Sequence, residues 1–137
     1  MTARVRTVGR RQSARVAAEI MRLHHIQHLV VVDVAGRVCG VISDRDMRAA
    51  APSSVDKDAA ERAHFLDRLR VDELMAPNPV TARPSDDVAV ALRAMRARKI
   101  GCLAVVDELG SPVGIITGYD VVTLALELLE TVQRRRA

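Results

Sequence analysis

Two uninterrupted apolar runs, Leu29-Val30-Val31-Val32 and Leu103-Ala104-Val105-Val106, dominate the polarity pattern of the chain. They are too short for helices and rich in β-branched residues, so they predict strands buried on both faces. A helically spaced apolar face precedes each run. It comprises Val16, Ala17, Ile20 and Met21 in the first half and Val88, Ala91, Leu92 and Met95 in the second,. Ser13, and Ser85 or Asp86, stand where N-caps would start these helices. After each run a turn containing Gly36 or Gly110 leads to a second strand, over 38–42 and 113–116,. A helix then begins near Asp44 or Gly118, the later one running from Asp120 to Val132. Short extended pieces at 5–8 and 80–82 open the two halves. The predicted order is β-α-β-β-α, twice.

The halves also match residue by residue. Gly40-Val41-Ile42-Ser43-Asp44-Arg45-Asp46 aligns with Gly114-Ile115-Ile116-Thr117-Gly118-Tyr119-Asp120. Carried back at the same offset, Thr7 falls on Thr81, Met21-Arg22 on Met95-Arg96, Ile26 on Ile100 and Val31-Val32-Asp33 on Val105-Val106-Asp107. An ungapped match over about forty positions identifies an internal repeat. A unit of about 50 residues is near the lower limit for an independent core. The two copies are therefore expected to pack together about a pseudo-two-fold axis as one α+β domain. The expected organisation is a first repeat at 1–50, a partly helical linker at 51–70, a second repeat at 71–132 and a basic tail at 133–137. Pro52-Ser53-Ser54 opens the linker as a breaker,. Val71 to Met75 reads as a short helical turn stopped by Pro77 and Pro79,.

Composition narrows the function classes. The 137 residues include one Phe, one Tyr and no Trp, which argues against an aromatic stacking platform for single-stranded nucleic acid,. The net charge of +4 favours anionic partners without choosing among them,. Cys39 and Cys102 form no CxxC pair and lie in strand-like runs, as buried thiols in a reducing compartment would,. No apolar stretch reaches membrane-spanning length, and the N-terminus carries no apolar signal region, so a cytoplasmic location is expected. His24, His25 and His28 lack a fourth metal ligand,. No catalytic triad, P-loop or metal-spaced carboxylate set is present, so the expectation is a binding module and not an enzyme.

Asp72-Glu73-Leu74-Met75 with Asn78-Pro79-Val80-Thr81, Lys99-Ile100-Gly101 before the second apolar run, and two Gly-x-x-Ser/Thr-x-x-Asp segments together resemble the CBS domain family. In that family two β-α-β-β-α repeats pair into a Bateman module. The resemblance covers nearly the whole chain. It departs at the start, where Val5-Arg6-Thr7-Val8 lacks the helical turn and proline of the second copy, and at Val30 and Ala104, where many members have proline.

The resemblance implies an adenine nucleotide as a regulatory ligand, with no cofactor required. By that analogy Asp46 and Asp120 meet the ribose hydroxyls, Ser43 and Thr117 the phosphate, and Arg45 reaches a phosphate. Gln27 and His28 are phosphate-facing, and Thr7, Thr81 and Ile100 lie near the purine. The chemistry is sound, since a carboxylate accepts two hydroxyl donors well and a hydroxyl at a helix start suits a phosphate oxygen. Spacing alone supports a second reading. Ser43 with Asp46, and Thr117 with Asp120, fit reciprocal helix caps, and His28 could be an ordinary strand-edge histidine. The resemblance also implies a homodimer formed through the repeat helices, and signalling to an unidentified effector protein. The alternative is an interaction module with no small ligand. Nucleic-acid binding through the arginine-rich ends is a third reading, disfavoured by the scarcity of aromatics.

Overall fold

Burial follows the apolar runs. In the computed structural model, which describes residues 5–51 and 58–137, Leu29, Val30, Val31, Leu103 and Ala104 are all essentially inaccessible. The first half contains β1 (Thr7–Gly9), α1 (Ala14–His24), β2 (His28–Val32), β3 (Val38–Ser43) and α2 (Asp44–Ala50). Next come α3 (Ala59–Asp67) and α4 (Val71–Leu74). The second half contains β4 (Ala76–Pro77), β5 (Thr81–Ala82), α5 (Val88–Arg98), β6 (Cys102–Val106), β7 (Pro112–Thr117) and α6 (Gly118–Arg136).

The chain forms two sheets, one per repeat. In the first, β1 runs parallel to β2 and β2 antiparallel to β3; in the second, β5, β6 and β7 repeat that arrangement. Each hairpin carries its register shift at the same place, Val31/Val32 and Val105/Val106. Each turn is built alike. Asp33 Oδ1 accepts from the backbone N–H groups of Ala35 and Arg37, and Asp107 Oδ1 from those of Leu109 and Ser111. Gly36 and Gly110 supply the left-handed residue at φ 79° and 83°,. The sheets meet through Val30, Cys102, Ala104 and Ile115, which bury against one another across the pseudo-two-fold axis. The architecture is the expected α+β pair of β-α-β-β-α repeats.

One strand was not foreseen. β4, from the lead-in to the second repeat, pairs antiparallel with β3 of the first, Ala76 opposite Val41 and Pro77 opposite Gly40. Proline is tolerated there because β4 is an edge strand.

Three local expectations are corrected. The N-cap of α5 is Asp87, whose carboxylate accepts from Ala89 N–H; Asp86 instead accepts from Arg83 N–H and closes the preceding turn. Val16 and Val88 lie on the outer edges of their helices, and the buried positions are Ala14, Ala17 and Met21 in α1 and Ala91 and Met95 in α5. Residues 133–136 are no tail: Arg134, Arg135 and Arg136 form the last turn of α6.

The two halves differ most in their final helices. α2 stops at Ala50, and Ala51, the residue before Pro52, takes extended backbone, as a residue preceding proline must. The chain then returns as α3, which buries Leu66 beside Ala17, Met21 and Met47. At the place equivalent to Pro52 the second half has Leu126, a good helix former,. α6 therefore continues for 19 residues, none of them buried. Among the described residues no helix is long and apolar enough to cross a membrane.

Candidate functional site

The last strand of each repeat ends where the last helix begins, and a backbone bond ties each junction to the opposite side of its hairpin. Asp44 N–H donates to Gln27 O, and Gly118 N–H donates to Gly101 O. These bonds fix the Ser43–Asp46 and Thr117–Asp120 segments over the starts of β2 and β6. Two clefts open at this level, between the repeats.

The larger cleft encloses about 610 Å³. Its floor and one wall come from the first repeat: Val5 and Arg6 ahead of β1, and His25 to His28 at the start of β2. The other wall comes from the second repeat: Gly101, Ile115 and the Thr117–Asp120 segment. The smaller cleft, about 410 Å³, is lined by Ser43, Asp44, Arg45 and Arg48. Gln27, His28 and Gly101 line both. Gly101 has to be small here. A Cβ at that position would lie 3.0 Å from His28 Nε2, so the imidazole packs where a side chain would stand.

Both Gly-x-x-Ser/Thr-x-x-Asp segments are helix caps, built differently. Ser43 Oγ accepts from Asp46 N–H at 3.1 Å, and Asp46 Oδ2 accepts from Ser43 N–H at 2.8 Å. In the second copy Asp120 Oδ2 accepts from both Thr117 N–H at 2.8 Å and the Thr117 hydroxyl at 3.2 Å. The Thr117 proton is thereby directed at the carboxylate. In each pair the bonds that the aspartate accepts fall on its Oδ2. Capping and ligand contact are thus compatible on one side chain.

The expected site residues separate into three groups. Gln27, His28, Thr117 and Asp120 come together in the larger cleft, and Ser43 and Arg45 in the smaller one with Gln27 and His28. Asp46 is half-buried and lines neither cleft. It instead acts electrostatically on His28 and Cys102. Thr7, Thr81 and Ile100 are not brought to either cleft, which corrects the expectation. Thr7 pairs with Val30 and Thr81 with Ala104, while Ile100 packs into the second repeat's core. Sequence reasoning missed Arg6 and Arg48. Arg6 sits one residue before the expected Thr7. Arg48 follows Arg45 by three residues and so shares its helix face. It forms an ion pair with Asp44, which Arg62 of α3 also approaches at 3.7 Å.

Burial sets the protonation states around the shared wall. The His28 pKa is lowered, chiefly by desolvation; Asp46 pulls it back up and Arg45 adds to the depression. The imidazole is therefore neutral near pH 7. Burial, reinforced by Asp46, pushes the Cys102 thiol up to about 12, and burial also raises Cys39. Neither thiol is a nucleophile in this setting. A shallower depression of about 830 Å³ lies at the far end of the first sheet. Arg10 and Arg70 are already engaged there on the nearly buried Asp72 carboxylate, at 3.5 and 3.1 Å.

Comparison with known proteins gives one answer. The CBS domain sequence profile matches residues 1–53 and again 71–127. A CBS domain-containing protein of Dictyostelium discoideum is 34% identical over 118 residues, which are 85% of this chain and 81% of that protein. The crystal structure of CBSX2 in complex with AMP superposes with a TM-score of 0.74 at 30% identity, covering 93% of each chain. The cytosolic domain of the Mg2+ channel MgtE in complex with ATP gives 0.70 at 30% identity, covering 90% of this chain and 46% of that one. Several longer relatives are matched over only about a fifth to a quarter of their length, among them an arabinose 5-phosphate isomerase of Pseudomonas aeruginosa at 25%,. The chain belongs to the CBS domain family, as a tandem pair of repeats.

Proposed function

We propose that this chain is a regulatory module that binds an adenine nucleotide in the larger inter-repeat cleft. The observation that carries this reading is the position of Asp120. Its Oδ2 caps α6, and the residue lines a 610 Å³ cleft that also receives Arg6, Gln27 and His28 from the other repeat. A volume of that order suits a nucleotide. Ile26 and Ile115 offer apolar surface to a base. Asp120 suits ribose hydroxyls, and Arg6 with the backbone N–H groups at the start of α6 suits phosphate. The related structures with AMP and with ATP support the same ligand class. No step of chemistry is assigned to the site. The ligand acts by favouring one arrangement of the repeats, or of two chains, over another. The location proposed is the cytoplasm, and the output is to a partner protein.

Calorimetric titration with AMP, ADP, ATP, NAD and S-adenosylmethionine tests this reading. Saturable binding of at least one adenine nucleotide, lost in Asp120→Ala, is the expected result. Silence with all five ligands would refute it. A second reading, a homodimeric interaction module without a small ligand, is favoured by one observation: the apolar residues of α6 are largely exposed, Leu128 and Leu129 at 59% each,.

A further inference from the structure

The parallel strands β1 and β2 end side by side, and the chain leaves them through Gly9 to Gln12 and through Asp33 to Ala35. With Arg70 and Asp72 these residues line the depression of about 830 Å³. Space outside the carboxyl ends of parallel strands is a common seat for ligands. Val32 borders this depression and His28 borders the larger cleft, which puts the two roughly 13 Å apart along β2,. Asp72 is nearly buried, and its carboxylate holds two arginines by their Nε atoms, Oδ1 to Arg70 and Oδ2 to Arg10. The terminal Nη groups of both guanidiniums have no partner among the described residues, and Arg11 has none for any of its nitrogens. Backbone bonds fix the arrangement, since Asp72 N–H donates to Arg10 O and Val71 N–H to Gln12 O. The lining sets three arginines against Asp33 and Asp72, so it is positive on balance, and Asp33 Oδ1 is committed to its own turn. The second repeat lacks these groups: Pro84, Ser85 and Asp86 stand at the places of Arg10, Arg11 and Gln12, and Glu108 at that of Val34.

We propose that this depression is a second binding site, separate from the nucleotide cleft, for the phosphate monoester of a small molecule. Asp72 holds two guanidiniums by one edge each, so their remaining donors are ordered before a ligand arrives. A phosphate dianion has enough terminal oxygens to accept from both forks, with Arg11 as a third donor; a single carboxylate would satisfy one fork only. The buried carboxylate neutralises one arginine, and the dianion supplies the charge that the others lack. Val32, Val34 and Ala35 offer apolar surface to the esterified part, Val34 being fully exposed. The volume lies in the range of small-molecule sites. The ligand would join Arg10 and Arg11, ahead of α1, to Arg70, where the chain enters the second repeat. It would therefore tighten the junction between the repeats from the side opposite the nucleotide cleft.

Backbone amide NMR of the full chain tests the proposal, by titration with inorganic phosphate and with glycerol 3-phosphate at constant ionic strength and at a pH where both are dianions. Saturable shifts at Gly9, Arg10 and Arg11 and at Asp33 to Ala35 are expected with both, and glycerol 3-phosphate should bind no more weakly than phosphate. Arg10→Lys/Arg70→Lys keeps both charges beside Asp72 but loses the forks, so its affinity should fall at least about tenfold, the equivalent of one charge-assisted hydrogen bond. Arg11→Gln breaks no ion pair and should weaken binding as well; it decides the matter if the double variant fails to fold. Asp120→Ala should leave the shifts unchanged. No saturable shift, undiminished affinity in the arginine variants, or exclusion of glycerol 3-phosphate overturns the proposal. So do equal shifts with chloride, which would mean an adventitious ion only. Shifts confined to Thr117 to Asp120 would put the phosphate in the nucleotide cleft, overturning this site and leaving the nucleotide reading standing. The site does not rest on that reading, and silence toward adenine nucleotides would leave the result at Arg10 and Arg70 untouched.

Discussion

Asp46 and Asp120 occupy the same place in the two repeats, yet they should answer differently to the same substitution. Each carboxylate accepts the N–H of its cap residue at 2.8 Å. Asp46→Ala removes that bond but leaves the Ser43 hydroxyl able to accept from the N–H of residue 46. The expected loss is about 1 kcal/mol of stability. Asp120→Ala removes two bonds, because the Thr117 hydroxyl also donates to Asp120. A loss of about 1–2 kcal/mol follows. Binding separates the two more sharply. Asp120 lines the large cleft, and a carboxylate accepting ribose hydroxyls contributes roughly 1.5–3 kcal/mol, or about 10- to 100-fold in affinity. Asp46 lines neither cleft, so Asp46→Ala should leave nucleotide affinity within about threefold of the wild type. Urea unfolding gives the first pair of numbers and calorimetry the second. Equal loss of binding in both variants would show that the halves contribute symmetrically. Unchanged binding in Asp120→Ala would remove the nucleotide from this cleft.

Two further outcomes follow from packing and protonation. A methyl group at Gly40 would collide with the Met75 side chain and lie 3.1 Å from the Ala76 carbonyl oxygen in β4, so Gly40→Ala should cost about 1–3 kcal/mol, seen as a lower urea midpoint. An unchanged midpoint would mean that β4 yields without penalty. His28 is neutral in the folded state with a lowered pKa, so the unfolded chain binds the extra proton first, and stability should decline as the pH falls below about 6.5. His28→Gln should flatten that part of the pH profile. A decline of the same size in the variant would place its source elsewhere.

The repeat, the order of elements and the caps at Ser13 and Ser43 were legible because each depends on local chemistry. Asp33 and Gly36 specify their turn in any context, and Ser43 with Asp46 caps its helix wherever the helix packs. What escaped depended on contacts between segments distant in sequence. β4 is a two-residue strand containing proline, with no alternation to detect, and only the neighbouring edge of β3 makes it a strand. Thr7 and Thr81 were carried into the site on the family resemblance, but the larger cleft takes Val5 and Arg6 from the opening segment of the first repeat and nothing from that of the second. That difference depends on how the repeats meet, which no strand pattern encodes. Asp46 and Asp120 are indistinguishable by spacing. They diverge in their surroundings, since Asp120 lines the larger cleft and Asp46 lines neither.

Duplication of one unit would give two equal clefts and two equal helical faces; a few substitutions break both equalities in the same direction. Pro52 against Leu126 decides whether the chain folds back or runs on as a helix,. The cleft beside Thr117–Asp120 is the roomier, about 610 Å³ against about 410 Å³ beside Ser43–Arg48. The outcome couples the roomier cleft to the outward-facing helix, since Thr117 to Asp120 are at once a wall of that cleft and the first turn of α6. In the proposed reading, a nucleotide held by Asp120 therefore holds the base of the helix that carries the uncovered apolar face. Such a ligand can shift the helix only as far as its affinity differs between the arrangements available to it. A nucleotide gripped by the first repeat alone would supply no such difference at α6. One gripped across the junction supplies it directly, because any movement of α6 relative to Arg6, Gln27 and His28 changes the geometry of the bound ligand.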